Sequence, residues 1–380
     1  MSEVGAIISG GTPKTTIADN FGGDIPWLTP ADLSGYSEKY ISRGARNITK
    51  QGYDSCSTQL MPAGTVLFSS RAPIGYVAIA QNPICTNQGF KSIVPNAEID
   101  SEFLYYQLIY LRKEIQDMGS GTTFKEISAK TLGKVEVFVP DLPKQKEIVA
   151  HIEELFSRLD NAVETLQKTK QQLAVYRQAV LKEAFEGAKG YSLLGQIADM
   201  RLGKMLDKAK NTGTLHKYLR NINVRWFKFD ISDLLEMRIE ADEVEKFSIL
   251  AGDLVVCEGG EPGRCAVWNS QTDILYQKAL HRVRFKNNEN PKFYMYYLGF
   301  AAQTGVLSEF FTGSGIKHLT GQSLEKVPVP VLQKDKQDKI VAKIELHLSL
   351  CDNIEKTVDV ALAQADALRQ SILKQAFEEK

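Results

Sequence analysis

Two stretches of the chain carry apolar residues at helical spacing over several heptads. In residues 143–188, apolar or small side chains recur in alternating steps of four and three, at Ile148, Ile152, Leu155, Leu159, Ala162, Leu166, Thr169, Leu173, Tyr176 and Val180. Residues 333–380 repeat the pattern at Ile340, Ile344, His347, Cys351, Ile354, Val358, Ala361, Ala365, Leu368 and Ile372. Such steps form the a/d seam of a coiled coil, so the pattern predicts two long helices.

The two helical segments are copies of one another. At an offset of 192 residues, 143–186 aligns with 335–378 without a gap, and 19 of the 44 pairs are identical. A weaker match continues upstream, where AGTVLFSS at 63–70 corresponds to AGDLVVCE at 251–258. A repeat of this length indicates one unit used twice. We expect the helices to pair antiparallel within the chain; intermolecular dimerisation and independent surface helices are the alternatives.

The segments before each helix are mixed in pattern. Short runs rich in β-branched residues predict strands at 63–70, 76–80, 91–95, 251–258, 265–268 and 281–285, with last strands at 134–140 and 326–332. Residues 101–118 and 291–310 read as helices with an aromatic face, which is more often core than a base-stacking platform. The sequence therefore predicts an α+β protein with two pseudo-symmetric heads and an intramolecular antiparallel coiled coil. Its segments are 1–142, 143–188, 189–332 and 333–380.

Charge and composition narrow the function classes. Lys plus Arg and Asp plus Glu both number 46, which argues against a general polyanion binder. Residues 189–332 are slightly basic and residues 1–142 slightly acidic, so nucleic acid would be bound through local patches. The five cysteines lack zinc spacing and are expected to be free, mostly buried thiols. No apolar run predicts a membrane span and no signal peptide is recognisable, so we expect a soluble, cytoplasmic protein.

Several ordered motifs resemble one family. ISGGTPKTT (8–16), DIPWLTPADL (24–33), GSGTTFKEIS (119–128) and KVEVFVPDLPKQKEIVAHIEE (134–154), together with the ending RQxxLKxAF of each helix, resemble the specificity subunit of type I restriction–modification systems. The resemblance spans essentially the whole chain. The chain departs from it at the start, where MSEVG stands opposite residues 194–198. We therefore expect the first head to lack part of its opening strand. The second junction, VLQKDKQDKIV, has Lys-Asp where the first has Leu-Pro-Lys.

The resemblance implies a division of labour. Each head would be a target-recognition domain that reads one half of a bipartite site in double-stranded DNA, and the coiled coil would set the distance between the halves. The subunit would have no active site, metal or cofactor of its own. It would recruit two adenine-N6 methyltransferase subunits that use S-adenosylmethionine, and restriction subunits that use ATP and Mg²⁺. The sequence contains no phosphate-binding loop of the GxxxxGK[ST] type, which agrees with the expected lack of an active site.

Base contacts are expected from polar side chains in the loops, because sequence is read at the edges of the bases. The candidates in the first head are Lys14, Thr15, Ser70, Arg71, Asn87, Gln88, Thr122, Thr123 and Lys125. Those in the second head are Lys204, Lys208, Glu258, Arg264, Gln277, Lys278, Lys317 and His318. Arg220, Arg225, Arg282 and Arg284 are expected to contact phosphate. Arg177 and Arg369, which recur in the helices, either form surface salt bridges or contact a partner.

Two other functions fit the same pattern. The chain could serve a related restriction class, in which methylation and cleavage lie in one partner polypeptide. It could also be a coiled-coil scaffold with two protein-binding heads and no DNA specificity. A methyltransferase partner that gains no sequence preference from this chain would favour the scaffold.

Overall fold

A computed structural model describes residues 1–121, 125–205, 207 and 211–378. The chain forms two compact units. Unit 1 comprises Met1–Leu166 and Val360–Lys380, and unit 2 comprises Gln167–Asp359. Each unit therefore contains one head and parts of both long helices.

The head of unit 1 combines short strands with short helices. Its strands are β1 (Gly5–Ser9), β2 (Phe21–Ile25), β3 (Trp27–Leu28), β4 (Tyr40–Ile41), β5 (Val66–Ser70), β6 (Ile74–Ala80), β7 (Cys85–Thr86) and β8 (Lys91–Pro95). Its α-helices are α1 (Lys50–Asp54), α2 (Ser101–Tyr110), α3 (Arg112–Asp117) and α4 (Ala129–Gly133), with 3₁₀ turns at Ala18–Asn20 and Pro30–Leu33. The first long helix, α5, runs over Leu142–Phe185.

A five-stranded sheet in the order β1-β8-β5-β6-β4 organises this head. All its pairs are antiparallel except that of β4 with β6. Helix α2 packs against β6, and its aromatic residues Phe103 and Tyr106 are buried in the core. The expectation that this aromatic face is core is confirmed. Val149 and Ile152 of α5 and Leu373 of the second long helix belong to the same core.

The head of unit 2 has more strands. They are β9 (Tyr191–Leu193), β10 (Ala198–Leu202), β11 (Thr214–Leu219), β12 (Val224–Arg225), β13 (Lys228–Phe229), β14 (Leu235–Ile239), β15 (Ser248–Ile249), β16 (Leu254–Cys257), β17 (Cys265–Val267), β18 (Ile274–Tyr276), β19 (Leu280–Phe285) and β20 (Pro328–Pro330). Its helices are α6 (Leu194–Ile197), α7 (Pro291–Gln303) and α8 (Gly321–Glu325), with 3₁₀ turns at Asn221–Asn223, Ala241–Glu243 and Val306–Phe310. The second long helix, α9, runs over Lys334–Glu378.

Two four-stranded sheets, β10-β19-β16-β17 and β14-β11-β18-β15, form the framework of unit 2. Helix α7 packs on the first sheet, and nearly all its apolar side chains are buried. That core also takes in Leu181 and Phe185 of α5 and Ile344 of α9. The α+β class and the two long helices are thus confirmed.

Within each unit the two long helices pair antiparallel. In unit 2, Lys170 of α5 bonds to Asp359 of α9, and Arg177, seven residues further on, bonds to Asp352, seven residues back (both 2.7 Å). In unit 1, Arg369 bonds to Asp160 in the same register. These arginines therefore form salt bridges between the helices, which was one of the two roles expected for them. Of the twenty predicted seam positions, eight are buried, eight are half-buried, and four are exposed: Ala162, Tyr176, Ile354 and Leu368.

The predicted last strand forms in only one head. In unit 2, β20 pairs with β9, and the amide of Leu194 donates to the carbonyl of Val327 (3.0 Å). In unit 1, residues 135–140 are not a strand, so that prediction was wrong. The amino group of Met1 donates to the carbonyl of Val135 (2.7 Å), at the position that Leu194 occupies in unit 2.

A buried glutamine near the start of each long helix ties that helix to its head. Gln145 accepts from the amide of Asp100, the N-cap of α2, and donates to the carbonyls of Glu98 and Pro140 (all 2.8 Å). Gln337 accepts from the amide of Asn290, the N-cap of α7 (2.8 Å). Both side chains are fully buried. Each glutamine thus fixes the start of the long helix against the start of the head helix.

Replacing either glutamine by leucine is expected to destabilise its unit by about 3 kcal/mol, because each buried polar group left unpaired costs about 1–3 kcal/mol. The loss of stability is measured as a lower midpoint of urea unfolding. Exposed Lys144 and Lys336 stand one residue earlier in the chain, and their leucine variants are the matched controls. Equal midpoints for Gln145→Leu and Lys144→Leu would contradict the anchoring role.

Four of the five cysteines, Cys85, Cys257, Cys265 and Cys351, are buried, Cys56 is half-buried, and all are free thiols. Burial raises the pKa of Cys85 and Cys257 to about 11. These thiols are therefore core residues, as expected. In the part of the chain that the structure describes, no helix is both long and apolar enough to cross a bilayer.

Candidate nucleic-acid interface

In unit 1 the predicted contact residues lie on loops that meet at one end of the strands β1, β8 and β5. The amide of Gly11 donates to the carbonyl of Thr86 (2.9 Å), that of Ser70 to Gly89 (2.7 Å), and that of Ile127 to Ser70 (3.0 Å). These bonds join the loop after β1 to the loop after β7, and the end of β5 to the segment before α4. The structure thus brings together residues that are far apart in the sequence.

Unit 2 repeats the same set of backbone bonds. The amide of Lys204 donates to the carbonyl of Tyr276 (3.1 Å), that of Glu258 to Ala279 (2.9 Å), and that of Leu319 to Glu258 (2.7 Å). Each bond joins the counterparts of the residues joined in unit 1. We call this arrangement of four loops the loop frame; it comprises 10–15, 69–72, 86–89 and 125–127 in unit 1, and 203–205, 257–260, 276–279 and 316–319 in unit 2. The backbone is shared, whereas the side chains differ.

A glycine closes each loop frame. A Cβ on Gly10 would overlap the carbonyl oxygens of Thr86 and Asn87, and a Cβ on Gly203 would overlap those of Tyr276 and Gln277. The loop after β1 in unit 1, and the loop after β10 in unit 2, can approach the neighbouring loop only because no side chain intervenes. The two loops that carry predicted contact residues are therefore held at backbone contact distance.

The side chains of the unit 1 frame are mostly accessible. Lys14, Thr15, Gln88 and Lys125 are exposed. Arg71 lies 3.7 Å from Glu126, and both side chains are more than a third exposed, so this ion pair is weak and the guanidinium can exchange it for another acceptor.

Two other predicted residues of this frame are turned inward. The Asn87 side chain accepts from the amide of Gly89 (2.8 Å) and so shapes its own loop. Ser70 is completely buried, and its hydroxyl has no partner in the described structure. As the structure places it, Ser70 does not reach the surface, because β5 lies in the middle of the sheet.

Two residues of unit 2 that were predicted to contact DNA, Lys204 and Arg282, are buried in the fold. The Lys204 ammonium is buried between Glu240 (2.8 Å) and Glu243, and its hydrogen bond lowers the pKa of the Glu240 carboxyl to about 2. Arg282 is buried as well and donates to the carbonyl of Ser248 (2.8 Å). We expected Lys204 and Arg282 to contact DNA, but in this structure neither cationic group faces solvent. Both residues hold the second head together.

Three more arginines of this unit pair with neighbours. Arg284 forms two 2.7 Å bonds with the Asp253 carboxylate, which raise its pKa above the ordinary value. Arg220 bonds to Asp233 (2.7 Å). Arg264 donates to the carbonyl of Asn221 (2.9 Å) and pairs with Glu261. Both Arg220 and Arg264 remain partly exposed.

The other predicted residues of unit 2 gather at the loop frame. Lys278, Lys317 and His318 are exposed, and Glu258 and Gln277 are half-buried beside them. Arg225 is half-buried on the short β12–β13 hairpin. The predicted contacts of Thr122, Thr123 and Lys208 lie outside the described residues. DNA contact by any of these side chains stays a prediction.

Sequence reasoning missed a second basic loop in unit 1. Arg43 and Arg46 are exposed and line a shallow groove of about 730 Å³ with Phe21 and Asn47. The guanidinium of Arg46 lies over the Phe21 ring at 4.9 Å. The signal was present as two arginines around a glycine in RGAR, between short strands.

The chain thus has two α+β heads with the same loop frame, and two long helices that pair antiparallel in each unit. The family model for the type I restriction modification DNA specificity domain matches residues 1–174 and again residues 194–364. The chain belongs to this family, and the family resemblance read from its motifs is confirmed.

Individual relatives agree with the family. The chain is 43% identical over 170 residues to the MjaIX type I restriction enzyme specificity subunit of Methanocaldococcus jannaschii, covering 44% of this chain and 38% of that one. It is 24% identical over 288 residues to the EcoKI specificity subunit of Escherichia coli K12, covering 70% and 62%. The alignments thus span less than two thirds of these two relatives.

A solved structure shows the same fold along the whole chain. It comes from work on complex assembly and conformational transition of the type I R-M system, and it has a TM-score of 0.75 at 16% identity, over 99% of this chain and 96% of that one.

Proposed function

We propose that this chain is the non-catalytic subunit that gives a type I restriction–modification complex its DNA sequence specificity. Each head reads one half of a bipartite site, and the paired long helices set the number of base pairs between the halves. The repeated loop frame carries this proposal. One backbone arrangement with two sets of side chains suits a protein that reads two different short sequences in the same way.

The side chains of the two frames differ in chemistry. Unit 1 offers Arg71 and Gln88, which suit guanine and adenine in the major groove. Unit 2 offers Lys278 for guanine and Glu258 as an acceptor from cytosine. Exposed Lys14 and Lys125 in unit 1 and Lys317 in unit 2 supply phosphate contacts that position each head.

The chain also serves as a scaffold for two adenine-N6 methyltransferase subunits and for restriction subunits. Each unit has a groove between its head and its helix pair: about 560 Å³ in unit 1, lined by Tyr106, Ser157 and Asp160, and about 870 Å³ in unit 2, lined by Tyr296, Ser349 and Asp352. Ser157 and Asp160 are the repeat counterparts of Ser349 and Asp352. Two equivalent grooves suit two copies of one partner. S-adenosylmethionine, ATP and Mg²⁺ are bound by these cytoplasmic partners rather than by this chain.

The test is methylome sequencing of a host that expresses this chain with its methyltransferase subunit. We expect N6-methyladenine in one split motif, which disappears when the chain is deleted. Exchange of residues 189–332 for the corresponding head of a relative is expected to change one half of the motif and to leave the other half and the gap length unchanged.

The control is the reciprocal exchange of residues 1–142, which should change the other half alone. A change in both halves after a single exchange would refute the assignment of one half-site to each head. Methylation without any motif would instead favour a scaffold that lacks DNA specificity.

A further inference from the structure

A small hairpin in the loop frame of unit 2 presents an apolar residue to solvent. The backbones of Thr312 and His318 exchange two hydrogen bonds (2.8 and 2.9 Å) and close a five-residue loop. Gly313 has φ of +95°, and a Cβ there would overlap the carbonyl oxygen of Ile316, so the turn requires glycine. Lys317 donates to the Gly313 carbonyl (2.9 Å). The loop is therefore held in one shape by its own bonds.

The residue presented at the tip of this loop is Ile316. Its side chain is 75% exposed, more than any other large apolar side chain in the described part of the chain. Burial of an apolar side chain is favourable, so the free protein lacks the stabilisation that burial of Ile316 would give. The neighbours Lys317 and His318 are exposed polar residues, and Lys317 carries a positive charge. An apolar tip beside a cation suits a ligand that has both phosphates and stacked aromatic surfaces.

The hairpin belongs to the loop frame rather than to a remote surface. The amide of Leu319 donates to the carbonyl of Glu258, and a Cβ on Gly259 would stand 3.1 Å from the His318 ring. Ile316 therefore projects from the element that packs directly on the predicted base-reading residue Glu258.

Unit 1 has the same pair of closing hydrogen bonds. The backbones of Ser120 and Glu126 exchange two hydrogen bonds (3.0 and 2.9 Å), as Thr312 and His318 do. At the offset of 192, the sequence counterparts of Ile316 and Lys317 are Phe124 and Lys125, and Phe124 lies outside the described residues. The repeat thus keeps an apolar residue followed by lysine, whereas the polar neighbours change from Ser70 to Glu258. A feature kept in both repeats is suited to a task that does not depend on the base sequence.

We propose that Ile316 is a wedge that enters between two base pairs of the half-site bound by unit 2 and partly unstacks them. This inference rests on the proposed function, because it requires bound DNA. Isoleucine and phenylalanine are among the side chains that proteins insert at base steps, and the kink that follows lets the duplex contact more protein surface. An unstacked step beside the target also lowers the cost of turning an adenine out of the helix for methylation.

The experiment uses the full chain in complex with its methyltransferase subunit and a cognate duplex. 2-Aminopurine, which brightens when it is unstacked, replaces one purine at a time in the half-site of unit 2, except the adenine that is methylated. We expect a severalfold rise in fluorescence at one base step with the unaltered chain. Ile316→Ser should abolish this rise and weaken binding about tenfold, and Ile316→Phe should retain both.

Leu215→Ser is the matched control, because Leu215 is also more than half exposed but lies on β11, outside the loop frame. A rise that persists in Ile316→Ser, or that is lost equally in Leu215→Ser, would overturn the wedge. A tenfold loss of affinity without any rise in the unaltered complex would also overturn it and would assign Ile316 to surface contact, such as a thymine methyl group. Absence of sequence-specific binding by the unaltered complex would instead count against the proposed function.

Discussion

Alanine in place of Gly203 is expected to abolish recognition of the half-site that unit 2 binds. The added Cβ overlaps the carbonyl oxygens of Tyr276 and Gln277, so one of the two loops must move. Movement of the loop 276–279 carries Gln277 and Lys278 away from the base edges. The loss of contacts to two base pairs, at about 1–3 kcal/mol each, lowers affinity about 100-fold or more. Competition binding with duplexes scrambled in either half measures the effect.

Gly10→Ala is the equivalent change in unit 1 and should affect only the other half-site, because its Cβ overlaps Thr86 and Asn87. The matched controls are Gly133→Ala and Gly321→Ala, whose added Cβ atoms meet only ordinary van der Waals contacts. Retention of full discrimination at both halves by Gly203→Ala would show that the loop frame does not position the reading residues.

Tryptophan in place of Ser349 is expected to remove one of the two methyltransferase subunits from the complex. Ser349 is exposed and lines the groove of unit 2, so the larger ring fills the groove without entering the core. Ser157→Trp should remove the other subunit, because Ser157 is its repeat counterpart in the groove of unit 1. The double variant should bind none. Native mass spectrometry of the reconstituted complex gives the number of subunits directly.

Gln171→Trp provides the comparison, since Gln171 is exposed on α5 and lines neither groove. It should keep two methyltransferase subunits. A complex that retains both subunits in Ser157→Trp and Ser349→Trp would place the partner on another surface. The alanine variants at the two serines distinguish filling of the groove from loss of the hydroxyl.

The periodic parts of the fold were predictable from the sequence, and the contacts between distant segments were not. The seam of α5 and the strands β5 and β16 follow from local pattern, because apolar spacing reports which face is buried. The segment 134–140 has the pattern of a strand but forms none in the described structure, because strand formation also depends on a second segment. Leu181 and Phe185 show the same limit, since they lie outside the seam and are buried by the head.

The loops of the candidate interface were predictable from the sequence. Which of their charged side chains are buried in ion pairs and which are exposed was not. Lys204 follows a glycine at the end of a strand, as a phosphate-binding lysine could. Its partners Glu240 and Glu243 lie 36 and 39 residues further along the chain, so no local signal marks the pair. Lys278, Lys317 and His318 are exposed, although Glu258 lies half-buried beside them. Which lysine is free thus depends on tertiary contacts.

The division of the chain between the two units has a consequence for its biosynthesis. Unit 1 contains both Met1–Leu166 and Val360–Lys380, and the Phe377 ring packs against Phe103 at 5.4 Å. Residues 167–359 leave the ribosome in between, which takes on the order of 10–40 s at about 5–20 residues per second. Unit 1 therefore cannot complete its fold until Val360–Lys380 have been synthesised. Unit 2 is continuous in the sequence and can fold on its own. A nascent or prematurely terminated chain therefore carries an incomplete unit 1.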